Sequence, residues 1–579
     1  MKTKSPTYAR LFTPSGERLH NDPSVQPWNA YPRPQLRRDS FLCLNGWWDF
    51  AVTGEYTPPT VFDQSIRVPY PPESLLSQVG EVPPAGSYLY YRRTFTLPEG
   101  FRKDRVILHI GAVEQVATVW VNGTEVGSHV GSYTPVWLDI TDALQEDNTL
   151  VIRVRDYLEN AQFPYGKQRY KRGGMWYTPV SGIWQTVWLE SVPKEYVKAI
   201  DFTIEKNAVT ILVDGVSVGS VTVTTPEGEQ TLPLSDGMAV FAPENPRLWC
   251  PEDPYLYEFT LQSGEDRVES YFAIRTLTTE TVNGIPRLCL NGKPVFFHGV
   301  LDQGYWSDGL FLPPLPTCYA WDVEKMQALG FNTLRKHIKI EPEQFYYDCD
   351  RLGMLVWQDM VNNGHYSFFR DTALPTIGLK RLNDRLLHRN EDTRAAFEMG
   401  MRQAVKQLRN HPCIVGWTIF NEGWGQFDSQ RMYETLKALD DTRFIDTASG
   451  WFAGADSDVV SEHVYFKPYR FKVGKKPVFL SEFGGYSYKP EGHVFNTEKT
   501  YGYRFFTEQE AFETALEQLY REEILPVVAK GLCGAIYTQL SDVEDETNGL
   551  YSYDRRVCKV TPERMCAMAK ELYRAVGKE

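Results

Sequence analysis

Pro294-Val-Phe-Phe-His298, a helical spacing from Ala320 to Leu329, and Phe331-Asn-Thr-Leu-Arg335 form the stretch that decides the fold of the larger part of this chain. A short apolar run, an amphipathic segment and a second apolar run read as strand, helix and strand. The alternation continues through a helix over Phe345–Leu352, Met354-Leu-Val-Trp-Gln358, a long helical pattern from Asp392 to Leu408, and Cys413-Ile-Val-Gly-Trp-Thr-Ile-Phe420. Further strands read at Phe444-Ile-Asp446, Val459-Val-Ser461, Pro477-Val-Phe-Leu480 and Ala535-Ile-Tyr-Thr538. Eight strands interleaved with helices over roughly 300 residues match a (β/α)8 TIM barrel. A doubly wound sheet would want a Gly-rich first turn, and Gly299-Val-Leu-Asp-Gln-Gly304 has the wrong spacing for it.

Upstream the grammar is all-β. Tyr88-Leu-Tyr-Tyr-Arg-Arg-Thr-Phe-Thr-Leu97 and Arg105-Val-Ile-Leu-His-Ile110 are short runs bounded by Pro and Gly. Val116-Ala-Thr-Val-Trp-Val121, the Asn122-Gly123 dipeptide and Thr124-Glu-Val126 predict a tight hairpin. A second all-β stretch holds strands at Val209–Val213, Ser220–Thr224 and Leu256–Leu261. We therefore expect a β jelly-roll sandwich over 1–193, an immunoglobulin-like β-sandwich over 194–278 and the barrel over 279–579.

Hydrophobic residues make up 42% and charged residues 23% of the 579, the balance of a packed protein. The net charge of −13 comes without a long Lys/Arg run, so nucleic acid is close to excluded as a partner. No 18 apolar residues run together, so a membrane span is not expected. The first twenty residues lack the apolar core of a secretory signal, and nine cysteines lie scattered without a C-x-x-C pair. Reduced thiols and a cytoplasmic location are the expectation.

In a barrel, chemistry gathers at the C-terminal ends of the strands. Glu422 follows the fourth strand and Glu482 the seventh. Two facing carboxyl groups are what glycoside cleavage needs, one to protonate the leaving oxygen and one to attack or stabilise the cationic centre. Asp302, His337, Asp359, His463 and Gln539 are further strand-end candidates for holding a sugar. Trp357 and Trp424 are read as stacking surfaces or as core, and His298 as structural. The acidic run Asp542-Val-Glu-Asp-Glu546 reads as a solvated loop rather than a cation site. No G-x-S-x-G elbow and no H-E-x-x-H occur, which removes the usual serine and zinc hydrolases.

Leu44-Asn-Gly-Trp-Trp-Asp-Phe50, Val119-Trp-Val-Asn-Gly-Thr-Glu125, Gly131-Ser-Tyr-Thr-Pro135 and Ser181-Gly-Ile-Trp-Gln185 stand in this order in the first region. Pro246-Arg-Leu-Trp249 and Pro254-Tyr-Leu-Tyr257 follow in the second. The barrel carries Leu290-Asn-Gly-Lys-Pro-Val295, Phe297-His-Gly-Val300, Gly330-Phe-Asn-Thr-Leu-Arg335, His411-Pro412 and Asn421-Glu422. In this order the motifs resemble glycoside hydrolase family two, the group of β-galactosidases, β-glucuronidases and β-mannosidases, over nearly the whole chain.

The resemblance implies a retaining glycosidase with a sugar-binding first domain. Glu422 matches the family's acid/base, Glu482 its nucleophile, and Asn421 the residue that meets the 2-hydroxyl. Arg335 would hold the nucleophile ionised, and Tyr465 matches the tyrosine beside it. Trp424 and the strand-end residues named above would complete the sugar site. Glu422 is expected to have a raised pKa, from Glu482's charge and partial burial. No cofactor is implied beyond room for a structural Mg²⁺ or Na⁺, and the family leaves homo-oligomerisation open.

Departures bear on the sugar. Gln185-Thr186 stands where the best-known β-galactosidases carry Arg-Asp, and Leu301-Asp-Gln-Gly-Tyr-Trp306 replaces their His-Glu cluster. Asn548-Gly-Leu550 lacks the lysine of the Asn-x-Lys clamp of β-glucuronidases, while Trp357-Gln-Asp359 is closer to β-mannosidases. The expectation is therefore an exo-acting, β-galactosidase-like enzyme for neutral terminal sugars of oligosaccharides or glycosides. β-Mannosidase, α-L-arabinosidase and β-glucuronidase specificities are the alternatives on this scaffold. A non-catalytic carbohydrate-binding protein is the alternative of another class.

Overall fold

The computed structural model describes residues 8–158, 160–376, 378–379 and 383–576, so the first seven residues of the N-terminal reading lie outside the described residues. Eight strands build the barrel: β1 (Phe297–Asp302), β2 (Thr333–Lys336), β3 (Leu355–Asp359), β4 (Ile414–Asn421), β5 (Phe444–Ser449), β6 (Val460–Val464), β7 (Val478–Gly484) and β8 (Leu532–Thr538). They pair in parallel in the order β5-β4-β3-β2-β1-β8-β7-β6. The two ends of that order meet where the Ser449 and Ser461 hydroxyls lie 3.1 Å apart, which closes the cylinder.

Side-chain alternation along the strands divides interior from exterior. Phe297, Trp357, Phe444 and Phe479 point inward and fill the lower barrel, with Trp357 and Phe479 rings 4.4 Å apart. Trp357 is therefore core and not a stacking surface. Two residues further along β3, on the same face, Asp359 reaches the upper interior. His298, of opposite parity to Phe297, faces the helix layer, where its ring nitrogens meet Gly330 O at 3.1 Å and the Tyr520 hydroxyl at 3.2 Å. Burial lowers its pKa to about 4, so it sits there neutral.

The first region folds as two facing antiparallel sheets, one four-stranded and one seven-stranded, around a core that includes Trp48, Val119, Ile152 and Leu189. The predicted hairpin is present: Val113–Val121 returns as Thr124–Gly131, with Asn122 and Gly123 at φ +51° and +81°. That left-handed pair is the turn whose twist matches the strands. The second region is a seven-stranded antiparallel array, Ala199–Glu205 to Asp266–Phe272. It is folded over a core of Val209, Ile211, Val221, Leu261 and Phe272.

Two junctions fix these sandwiches to the barrel. At the lower end, the Asp350 carboxylate accepts the Cys413 N–H and the Tyr271 hydroxyl, both at 2.8 Å, and meets His411 Nδ1 at 2.7 Å. At the upper end, the segment 160–181, ahead of the strand Gly182–Ile183, leaves its own sandwich and crosses the barrel mouth. Tyr165 N–H donates to Asn362 O and Gly364 N–H to Ala161 O. Arg172 ion-pairs with Glu544 and Asp545 at 2.7 and 2.8 Å.

Asp350→Ala would leave these fully buried donors without an acceptor. We expect a loss of at least about 3 kcal/mol in urea unfolding. At temperatures where the variant is folded, kcat/KM should stay near wild type; an unchanged unfolding midpoint would count against the junction's role.

Candidate active site

Arg335, near the end of β2 and fully buried, has one acceptor for each of its five N–H groups. Nε and Nη2 grip Asp359 on β3, each at 3.0 Å. Nη2 also donates to Asn421 Oδ1 on β4 at 2.9 Å, and Nη1 donates to Ser481 O at 3.0 Å and Glu482 Oε1 at 3.1 Å on β7. A planar guanidinium with five fixed donors thereby sets the positions of three side chains on three other strands. Burial alone would raise the Asp359 carboxyl; Arg335, with His337, outweighs it and holds that group below its ordinary range.

Glu482 lies inside β7 and not after it, because the strand runs on to Gly484 past a register shift between Leu480 and Phe483. Its second oxygen accepts the Tyr465 hydroxyl, which also meets Thr538 Oγ1 at 2.9 Å. The Tyr465 ring stacks on Tyr503 at 3.8 Å. Glu422 follows β4 with φ +52°, a left-handed conformation costly for a side-chain-bearing residue. Its N–H donates to Ser449 O at 3.0 Å, and its carbonyl accepts Trp451 Nε1 at 2.9 Å. Strain held in place this way is characteristic of functional positions.

His463, on β6, bridges the two glutamates: its Nδ1 is 2.9 Å from Glu422 Oε1 and 3.5 Å from Glu482 Oε2. Its other nitrogen lies 3.0 Å from Ser449 Oγ. One oxygen from each glutamate and a His463 nitrogen fall within 4.8 Å of one another, a spacing that also suits metal ligands. Arg335 already places a cation beside Glu482. Burial raises the Glu482 pKa and the charge of Glu422 adds to it, against His463, Arg335 and Tyr465.

The other expected residues divide. His337 reaches the cluster with Nδ1 3.2 Å from Asp359 and 3.8 Å from Glu482, and burial lowers its pKa to about 3. Gln539 lies at the barrel mouth, donating to Asn548 Oδ1 at 2.9 Å and Glu546 Oε2 at 3.1 Å. Asp302 is not brought to the carboxyl pair. Its parity on β1 turns it outward, where it takes Lys336 Nζ at 2.5 Å and Gly304 N–H at 2.8 Å. Trp424 is covered by Trp176, whose ring lies 5.2 Å away, so that face is closed to a sugar. The run Asp542–Glu546 is no solvated loop: its carboxylates are buried on Lys559, Arg172, Asn496 and Tyr177.

Sequence reasoning missed the contribution of segment 160–181. It brings Lys167, Trp176 and Tyr177 over the mouth, Lys167 Nζ lying 5.1 Å from the Trp424 ring and 5.8 Å from Tyr177. Asp446, inward on β5 with its pKa raised to about 6 by burial, was also missed. The available signal for the segment was its mixture of basic and aromatic residues, Tyr165 to Tyr177, between two strands.

A barrel with paired glutamates at its mouth, behind two β-sandwiches, agrees with what comparison shows. The family model "Glycosyl hydrolases family 2, TIM barrel domain" matches residues 282–484. "Glycosyl hydrolase 2 galactose-binding domain-like" matches 85–178, and "Glycosyl hydrolases family 2" matches 198–275. The chain belongs to glycosyl hydrolase family 2 and is a glycosidase acting on carbohydrate substrates. It is 25% identical over 536 residues to a β-glucuronidase of Felis catus, covering 78% of this chain and 79% of that protein. It is 25% identical to a β-galactosidase of Thermoanaerobacter pseudethanolicus over 61% of this chain and about half, 47%, of that protein's length. A solved β-galacturonidase from Eisenbergiella tayi, bound to galacturonate, superposes with TM-score 0.68 at 21% identity, covering 94% of this chain and 99% of that one.

Removing the guanidinium tests the site's electrostatics. Arg335→Met should lower kcat by about 10²-fold or more. Without a cation favouring its charged form, Glu482 should ionise at higher pH, so the acid limb of the kcat/KM profile should move up. An unmoved limb with near-normal kcat would remove Arg335 from the site.

Proposed function

We propose that the chain is an exo-acting β-glycosidase working with retention, Glu482 being the nucleophile and Glu422 the acid/base. The observation that carries this reading is the proximity of the two carboxyl groups, one oxygen of Glu422 lying within 4.8 Å of one oxygen of Glu482 and His463 Nδ1 touching both. Retaining enzymes hold them about 5–5.5 Å apart, whereas inverting ones need roughly 6.5–9.5 Å to admit a water. In the first step Glu422 gives its proton to the glycosidic oxygen as Glu482 bonds to the anomeric carbon. In the second, Glu422 takes a proton from water, whose oxygen displaces Glu482 and restores both groups. Arg335 and Tyr465 hold Glu482 ready for attack. With Oδ1 of Asn421 engaged by Arg335, its Nδ2 remains to donate to the substrate's 2-hydroxyl. The segment 160–181 across the mouth suits a pocket for a chain end rather than an open cleft. This chemistry requires no metal.

A second reading concerns the sugar. The carboxylates of Glu544, Asp545 and Glu546 and the lack of a lysine in Asn548-Gly-Leu550 favour a neutral, β-galactosidase-like substrate. The uronide-cleaving relatives named above favour an acidic one.

A set of 2-deoxy-2-fluoro glycosyl fluorides (glucosyl, galactosyl and glucuronyl) should label Glu482, found by peptide mapping; labelling of another residue would overturn its role. Glu422→Ala should slow poor leaving groups far more than activated ones, with azide rescuing the latter. Equal loss for all leaving groups would refute the acid/base assignment. Aryl glycoside turnover abolished in Glu482→Gln separates an enzyme from a sugar-binding protein with a silent barrel.

A further inference from the structure

Four lysines are buried among the described residues: Lys167, Lys336, Lys339 and Lys559. Three follow the rule that a buried ammonium needs a carboxylate. Lys336 has Asp302 and Glu341 at 2.5 and 2.9 Å, Lys339 has Glu341 at 2.8 Å, and Lys559 has Asp542 at 2.5 Å. Lys167, at 8% exposure, makes no ion pair or side-chain hydrogen bond among the described residues. What faces it is the ring of Trp424 at 5.1 Å and that of Tyr177 at 5.8 Å, neither of which neutralises it.

The place of this ammonium is as telling as its isolation. It lies within electrostatic reach of Glu546 beyond β8 and of His337 beyond β2, so it stands over the pocket mouth on the side of β1, which those two strands flank. Trp424, which it faces, is two residues from Glu422. The Glu546 carboxylate is not within ion-pair distance and already accepts from Tyr177 and Gln539. His337, neutral through burial, offers no counter-charge. A neutral sugar would leave the ammonium buried and unpaired, whereas an anionic substituent would supply the charge-assisted bond it lacks.

We propose that Lys167 receives the carboxylate of a terminal hexuronic acid and makes this enzyme selective for β-hexuronides. The inference rests on the glycosidase reading above and names its substrate class. It also changes the weight of the missing lysine at Leu550: the cation need not come from the loop after β8, because the first domain carries one to the same mouth.

The test compares 4-nitrophenyl β-D-glucuronide and β-D-galacturonide with the matching glucoside and galactoside, using the full chain. The better uronide should exceed the better neutral substrate at least tenfold in kcat/KM. In Lys167→Met that ratio should fall at least thirtyfold, mainly through KM, and Lys167→Arg should recover part of it. Neutral substrates leading in wild type, or both classes falling by one common factor in both variants, would overturn the proposal. A binding arm keeps it separate from the parent reading. In a Glu482→Gln background, calorimetry should show D-glucuronate or D-galacturonate binding more tightly than D-glucose, with the preference lost on adding Lys167→Met. Absence of turnover for every glycoside together with absence of label on Glu482 would defeat the catalytic reading alone; absence of a uronate preference in binding would defeat this one.

Discussion

Taking an arginine fully out of water is unfavourable unless each of its donors finds an acceptor, and at Arg335 that requirement organises the barrel mouth. Its acceptors come from β3, β4 and β7, so those strands must end at matching heights for all five bonds to form together. The same cation sits against one glutamate of the pair while His463 lies between the two. A single desolvated charge thus fixes geometry and, in the proposed chemistry, differentiates two identical side chains.

Much of this was legible in the chain. The eight barrel strands fall where short apolar runs alternate with helical spacing, and the Asn122-Gly123 turn is where its dipeptide places it. Glu422, Glu482, Arg335, Tyr465, Asn421, His463, His337 and Asp359 converge because each stands at the same end of its strand. Strand ends were less legible. The expected runs ended at His298 and Leu480, whereas β1 continues through Gly299-Val-Leu to Asp302 and β7 through Ser481-Glu-Phe to Gly484, which the barrel still pairs. That extension puts Glu482 inside its strand. It also settles Asp302, whose outward direction depends on parity counted from Phe297 and not on closeness to a strand end.

Contacts between distant segments left the weakest mark. Asp542–Glu546 has the composition of a surface loop, yet it is buried because Arg172 and Tyr177 arrive from the first domain and Lys559 from the last helix-bound stretch. Local composition reports a segment's own solubility and carries nothing about partners several hundred residues away. Trp424 is a similar case: its exposure was decided by Trp176, which no spacing within the barrel could disclose.

The crossing of segment 160–181 over the mouth also divides labour along the polypeptide. The groups proposed to make and break bonds lie in or directly after barrel strands, whose positions are coupled through one guanidinium and tolerate little change. The groups that close the pocket ride on a surface excursion of a separate sandwich, anchored by a few ion pairs and main-chain bonds. Inheritance can therefore edit what is admitted to the pocket without disturbing how it is cut, since drift, insertion or recombination in the excursion leaves the strand register untouched. Homologues that keep the same carboxylate pair could diverge in diet through this one stretch of chain.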